Sequence, residues 1–147
     1  MAAILWDNAD DLRNGMRNQT FTRTNSARYT APELNDTNTA PTFKSDVWAF
    51  GMTLYHVLTD TKPYYAENFK SNNQVSIAIS RGILPFRPVK PNRWITDDVW
   101  ELFLDCSRMN PEERPDMQEV YERLVKIEQT SLADGTAQIV ASETLES

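Results

Sequence analysis

Residues 45–51 read SDVWAFG, and they begin an apolar segment that continues to residue 58. Ser45 is a good N-cap candidate, and Asp46 places a negative charge in the first turn of a helix. Apolar side chains in residues 47–58 point to every side of that helix, which is typical of a helix buried at the centre of its domain. The helix should end before Pro63, because proline cannot continue the backbone hydrogen-bond ladder. The stretch therefore predicts a central, buried helix.

Three further helices are predicted downstream. A short one is indicated around residues 75–79, with Gly82 as a C-terminal stop. Thr96 opens the next helix with an acid-rich first turn. Its predicted buried face consists of Val99, Leu102, Phe103 and Cys106. A last amphipathic helix follows Asp116, which has capping-box spacing to Glu119. The predicted fold class is mainly α.

Composition restricts the function classes. The chain has 147 residues, 40% of them hydrophobic, which suffices for one core. A formal net charge of −6 argues against a nucleic-acid partner. Cys106 is the single cysteine, so an intrachain disulfide is impossible and an intracellular, cytoplasmic location is predicted. No uncharged apolar stretch approaches the roughly 20 residues that span a bilayer, so no membrane partner is predicted.

Two short motifs lie on either side of the central helix. Residues 31–33 read APE, and residues 110–115 read NPEERP. With residues 44–51 between them, these motifs resemble the lower half of a eukaryotic protein kinase domain, in the tyrosine-kinase-like group. The resemblance implies the helical C-lobe of a protein kinase-like fold without the N-terminal β lobe. The family transfers a phosphoryl group from ATP to Ser, Thr or Tyr of a protein.

The resemblance divides the chain into three parts. Residues 1–24 correspond to part of the activation segment and are expected to be mostly loop. Residues 25–128 correspond to the kinase-like C-lobe. Residues 129–147 lose the helical period and are predicted to form a disordered tail.

The resemblance also implies two structural roles. Glu33 of the APE motif pairs with a distant arginine in this family, and the matching residue here is Arg114, so the pair is expected to act as a fold clamp. Asp46 matches an aspartate that accepts hydrogen bonds from the backbone of the catalytic loop. That loop is absent from this sequence, so Asp46 is equally well interpreted as a favourable charge in the first turn of a helix.

Substrate-binding positions are implied upstream of the APE motif. Tyr29 would form a wall of the pocket for the residue after the phosphoacceptor, and Ser26 matches a hydroxyl that serine/threonine kinases place near the catalytic aspartate. The implied substrate is a protein or peptide, with a lean toward Ser/Thr. Thr20, Thr22 and Thr24 fall in the activation-loop region and are possible phosphosites, whose phosphates could pair with arginines such as Arg28, or belong to an ordinary solvated loop.

The catalytic motifs of the family are not found. They should precede the APE motif, and only thirty residues lie before Ala31. Asp10 is a weak candidate for a degenerate metal-binding acid, but the aromatic residue and the glycine of that motif are missing. No catalytic residue, metal ligand or cofactor is therefore predicted for this chain, although ATP and Mg²⁺ are implied for the complete family domain. His56 is expected to be a packed or hydrogen-bonded imidazole.

Three hypotheses follow, and the third is an unrelated helical domain, in which Glu33 and Arg114 would lie far apart. The first is a kinase-domain fragment that is inactive alone and needs the missing kinase half as its partner. The alternative is a non-catalytic, pseudokinase-like interaction module. We expect an exposed apolar patch around Trp48, Met52 or Tyr55, because the upstream elements that normally cover the central helix are missing, and such a patch would support the alternative.

Overall fold

The computed structural model describes residues 27–65, 67–89 and 92–145, with side chains as far as residue 135. These residues contain four α-helices and no strand, which confirms the mainly α prediction. The helices are α1 (Phe43–Thr59), α2 (Asn72–Ser80), α3 (Asp97–Cys106) and α4 (Met117–Leu145). Three 3-10 helices cover Ala27–Tyr29, Pro32–Asn35 and Pro111–Glu113.

Helix α1 begins earlier than its sequence pattern indicates. Its N-cap is Thr42, whose hydroxyl accepts a hydrogen bond from the Ser45 backbone nitrogen at 3.3 Å. In return, the Ser45 hydroxyl accepts a hydrogen bond from the Thr42 backbone nitrogen at 2.8 Å. Ser45 is thus the third residue of a capping box and not the N-cap that we predicted. The sequence did not indicate this start, because Phe43 is apolar and an apolar residue is not typical of an exposed helix terminus. In the structure Phe43 is 88% exposed.

The core forms on two sides of α1. On one side Trp48, Met52 and Tyr55, each at most 5% exposed, contact α2, α3 and the loop residue Tyr64. On the other side Val47 packs against buried residues of α3 and α4. The predicted exposed patch around Trp48, Met52 or Tyr55 is therefore wrong. Ala31, Tyr64 and residues of α2 and α3 lie in the same buried cluster as these three side chains and cover the face that we expected to remain open.

Helix α3 crosses α1 closely at Gly51. A Cβ atom added to Gly51 would lie 2.9 Å from Cys106 Cβ and 3.3 Å from Ser107 Oγ. The predicted buried face of α3 is confirmed, since its buried residues are Val99, Leu102, Phe103 and Cys106. The glycine of the SDVWAFG motif is thus a packing requirement between two helices.

Helix α4 begins as predicted, with the Glu119 backbone nitrogen donating to Asp116 Oδ1 at 2.8 Å. It then continues as helix to Leu145, where we expected a disordered tail from residue 129. The segment after Pro115 contains no proline, so nothing in it interrupts the backbone ladder. The tail was predicted to be disordered because apolar residues no longer recur at helical spacing. That spacing indicates which side chains pack against a core, and its loss does not exclude a helical backbone. Among the described residues, no helix is both long and apolar enough to cross a membrane.

Candidate functional site

The structure brings together Glu33 and Arg114, which are 81 residues apart. Arg114 follows the third 3-10 helix, and its side chain is fully buried. Its Nη1 donates to Glu33 Oε1 at 2.7 Å and its Nη2 donates to Glu33 Oε2 at 2.8 Å. Two parallel charge-assisted bonds fix both the distance and the orientation of the two groups.

Arg114 also binds three backbone carbonyls. Its Nε donates to the Arg108 oxygen at 2.8 Å, Nη1 to the Lys44 oxygen at 2.8 Å, and Nη2 to the Met109 oxygen at 3.4 Å. The side chain of Lys44 donates in turn to the Arg114 carbonyl. The Arg114 guanidinium carbon lies 5.1 Å from the centre of the Trp48 ring. One side chain therefore joins the APE segment, the start of α1 and the loop before α4.

The charge state of Glu33 follows from this arrangement. Partial burial acts to raise the pKa of Glu33, but the hydrogen bonds and positive charge of Arg114 outweigh it and hold the pKa below its usual value. Glu33 is consequently ionised at neutral pH. The fully buried guanidinium is therefore compensated by a carboxylate, as a buried charge requires.

Tyr29 lies next to α1 and is tied to it. Its hydroxyl is 2.8 Å from His56 Nδ1, in the second half of the helix. Burial raises the pKa of Tyr29, so the phenol keeps its proton at neutral pH and can donate it to the ring nitrogen. The prediction that His56 is a packed or hydrogen-bonded imidazole is confirmed. The contact fixes the orientation of Tyr29, the residue that we predicted to form a wall of a peptide pocket.

Arg28 fixes the same segment from its other side, and the sequence analysis missed this role. Its Nη1 donates to the Pro63 carbonyl at 2.7 Å and its Nη2 to the Phe69 carbonyl at 2.9 Å. We had considered Arg28 a possible phosphate partner, but these two nitrogens already have acceptors. Every residue has a backbone carbonyl, so the sequence cannot show which carbonyls Arg28 binds. The only signal in the sequence was a polar side chain next to Tyr29.

The remaining predicted residues are placed as follows. Asp46 is exposed in the first turn of α1, where its charge favours the helix N-terminus. Ser26 and Asp10 lie outside the described residues. So do Thr20, Thr22 and Thr24, the possible phosphosites.

The described residues do not fit ATP and Mg²⁺, the cofactors that the resemblance implies. In residues 27–65, 67–89 and 92–135, no group of three or more His, Cys, Asp or Glu side chains could hold a metal ion. The four glycines of the chain are far apart, so they do not form a phosphate-binding glycine-rich loop. The site that the structure does describe consists of the 27–29 segment, held by Arg28 and Tyr29, and the buried pair of Glu33 and Arg114.

Comparison with known proteins gives consistent matches. The family model described as protein tyrosine and serine/threonine kinase matches residues 9–124. A putative mitogen-activated protein kinase kinase kinase 7-like protein of Drosophila melanogaster is 31% identical over 126 residues, which are 80% of this chain and 31% of that protein.

Two human proteins are also similar. Tyrosine-protein kinase TXK is 37% identical over 59% of this chain and 15% of its own length. Receptor-interacting serine/threonine-protein kinase 1 is 36% identical over 59% of this chain and 13% of its own length. The chain thus spans less than a third of the length of each of these relatives.

Proposed function

Because this chain belongs to the protein tyrosine and serine/threonine kinase family, we propose that it supplies the helical, peptide-facing part of a kinase domain. The domain as a whole would transfer the γ-phosphoryl group of ATP to a hydroxyl group of a protein substrate. The 147-residue chain alone would be inactive, because the glycine-rich loop, the catalytic-loop aspartate and the metal-binding motif of the family are not found in its sequence. The missing kinase half would be its functional partner.

The observation that carries this proposal is the contact between Arg114 and Glu33. It links the segment before α1 to the segment before α4 and so holds Tyr29 beside His56 on the central helix. An unrelated helical domain would have no reason to place the APE glutamate on this arginine across 81 residues. The arrangement supports a surface that positions a peptide and does not itself contain the phosphoryl-transfer groups.

A chimera tests the proposal. Residues 27–128 would replace the matching segment of human receptor-interacting serine/threonine-protein kinase 1, and transfer of labelled phosphate to a serine-containing peptide would be measured. We expect the chimera to phosphorylate the peptide and the isolated chain not to do so. Arg114→Met in the chimera should abolish activity, whereas the matched change Arg108→Met, at a more exposed arginine, should leave it intact.

The alternative is a non-catalytic, pseudokinase-like interaction module. A folded chimera that binds ATP but transfers no phosphate would favour this alternative, and phosphate transfer by the isolated chain would contradict both. The exposed patch around Trp48, Met52 or Tyr55 no longer supports it, since these residues are buried. A preference for Ser/Thr, based on Ser26, and a cytoplasmic location remain parts of our proposal.

A further inference from the structure

Basic charge is concentrated in one part of the sequence. Between Glu67 and Asp97 there is no acidic residue, although the chain contains 21 acidic residues in total. The same interval contains five basic residues, which are Lys70, Arg81, Arg87, Lys90 and Arg93. Two of the five, Arg87 and Arg93, line the groove described below, and positive charge in a groove of an otherwise acidic chain favours contact with a negatively charged segment.

Part of this interval forms a fixed surface at the C-terminal end of α1. The Tyr55 hydroxyl donates to the Phe86 carbonyl at 3.2 Å, and Asn92 Nδ2 donates to the Leu58 carbonyl at 2.8 Å. The backbone nitrogen of Phe86 also donates to the Glu67 carboxylate. These hydrogen bonds fix Phe86 and Asn92 relative to α1 before any partner binds, which lowers the entropy cost of binding.

The side chains of this segment are unusually exposed for their apolar character. Phe86 is 66% exposed, Val89 is 99% exposed and Trp94 is 58% exposed. Together with the end of α1 they line an open groove of about 620 Å³. Arg93 also lines the groove, with its guanidinium carbon 4.4 Å from the Trp94 ring centre. Exposed aromatic residues and arginine are the residue types that dominate binding energy at protein interfaces.

We propose that this groove, lined by Phe86, Val89, Arg93 and Trp94, docks an acidic protein segment that carries an aromatic anchor. The anchor would pack against Trp94, and flanking carboxylates would pair with Arg93. Arg87 contributes less charge, because it is already paired with Asp97 at 2.7 Å. The site lies at the opposite end of α1 from Arg114 and does not depend on the kinase function proposed above.

An acidic protein segment fits better than a nucleic acid or a membrane. The net charge of −6 opposes approach to a polyphosphate or to an anionic bilayer. A concave groove also suits an inserted side chain, whereas an interfacial membrane-binding helix buries a whole apolar face in the bilayer surface. A peptide can bring its few carboxylates to the arginine without bringing a continuous charged surface near the acidic remainder of the chain.

The test is fluorescence anisotropy with the full chain and a labelled peptide in which two tryptophans lie between runs of glutamate. We expect saturable binding that weakens with added salt. Trp94→Ala should weaken it by about tenfold or more, and Arg93→Gln should weaken it less and reduce its salt dependence. Phe43→Ala removes an exposed aromatic from the other end of α1 and should change nothing. Circular dichroism would confirm that all variants are folded.

Three outcomes would overturn the proposal. The first is no binding of the glutamate peptide, or binding that Trp94→Ala leaves unchanged. The second is equal binding of a control peptide with lysines in place of the glutamates. The third is binding of phosphatidylserine vesicles that Trp94→Ala abolishes, which would identify the groove as a lipid-binding surface.

Discussion

The two ends of α1 differ in burial: one contacts a fully buried arginine, and the other lies beside an open groove. At the N-terminal end, Arg114 is fully buried and its hydrogen bonds reach one carboxylate and three carbonyls. At the C-terminal end, Arg93 and Trp94 are exposed beside an open groove. A buried charge is stable only when every polar contact is made, so the first end should tolerate little change. The second end should tolerate substitution with almost no loss of stability, which leaves its residues available for binding.

The strongest way to break this contrast is Arg114→Met. The change leaves the Glu33 carboxylate without its partner and removes the bonds from Arg114 to three backbone carbonyls. We expect a loss of about 3–5 kcal/mol in the free energy of unfolding, measured by urea denaturation with circular dichroism. A loss of this size approaches the whole stability of a small domain. Arg108→Met is the matched control at an exposed ion pair with Asp105, and it should cost less than about 1 kcal/mol.

Gly51→Ala tests the middle of α1, between the two ends. Its Cβ would be forced against Cys106 Cβ at 2.9 Å, so α1 and α3 must separate. We expect a loss of about 1–3 kcal/mol in the same urea experiment, as for other overpacked cores. Thr53→Ala is a suitable control, because Thr53 is exposed on the same helix. Equal stabilities of the two variants would show that the helices do not pack this closely.

Acid titration sharpens the comparison from the side of Glu33. Burial acts to raise the pKa of Glu33, but the bonds from Arg114 keep it below the ordinary value of 4.5. A carboxylate with a lowered folded-state pKa stabilises the protein above its unfolded-state pKa, and that contribution is lost as pH falls through the folded-state pKa. The stability difference between the natural chain and Glu33→Gln should therefore shrink steadily below about pH 4.5.

A second carboxylate, that of Asp105, should also contribute to the acid-dependent loss of stability in that titration. Burial acts to raise the pKa of Asp105, but hydrogen bonds from Arg123 and Arg108 lower it overall. Asp105 should thus cause some acid-dependent loss of stability in both proteins. Parallel stability curves for the natural chain and Glu33→Gln would contradict a charge-dependent role for Glu33.

The smallest effect is expected at the open end of α1. Trp94→Ala should change the free energy of unfolding by about 0.5 kcal/mol or less, since the side chain is 58% exposed. Phe103→Ala, which removes an aromatic residue that is 2% exposed, should cost about 3–5 kcal/mol. If both changes cost the same, Trp94 belongs to the core and the groove is not an open surface.

The helices were largely predictable from the sequence, but the residues at which they begin and end and the segments that cover them were not. The buried face of α3 followed from apolar spacing alone, because spacing determines which side chains share a face. The start of α1 did not. The Thr42 hydroxyl caps the helix by accepting from the Ser45 backbone nitrogen, and the exposed apolar residue Phe43 that follows is not typical of a helix start. The burial of Trp48 depends on where the chain folds back, which no local pattern records.

The candidate site was predictable only where a resemblance supplied the pairing. Glu33 and Arg114 were named in advance, yet residue spacing alone could not have joined them. His56 was expected to find a hydrogen bond, but its partner Tyr29 could not be identified, because contacts between distant segments depend on the assembled fold. The backbone carbonyls that Arg28 binds could not be identified from the sequence for the same reason.

The contacts of Arg114 also limit how this chain can change over many generations. Two of its five acceptors belong to the Glu33 side chain, and the other three are main-chain carbonyls that every residue possesses. Exchanging the charges of residues 33 and 114 would satisfy the carboxylate and strand the carbonyls beside a negative group. No compensating mutation at position 33 can therefore release position 114, and loss of the Glu33 carboxylate would in turn leave the buried guanidinium without its counter-charge.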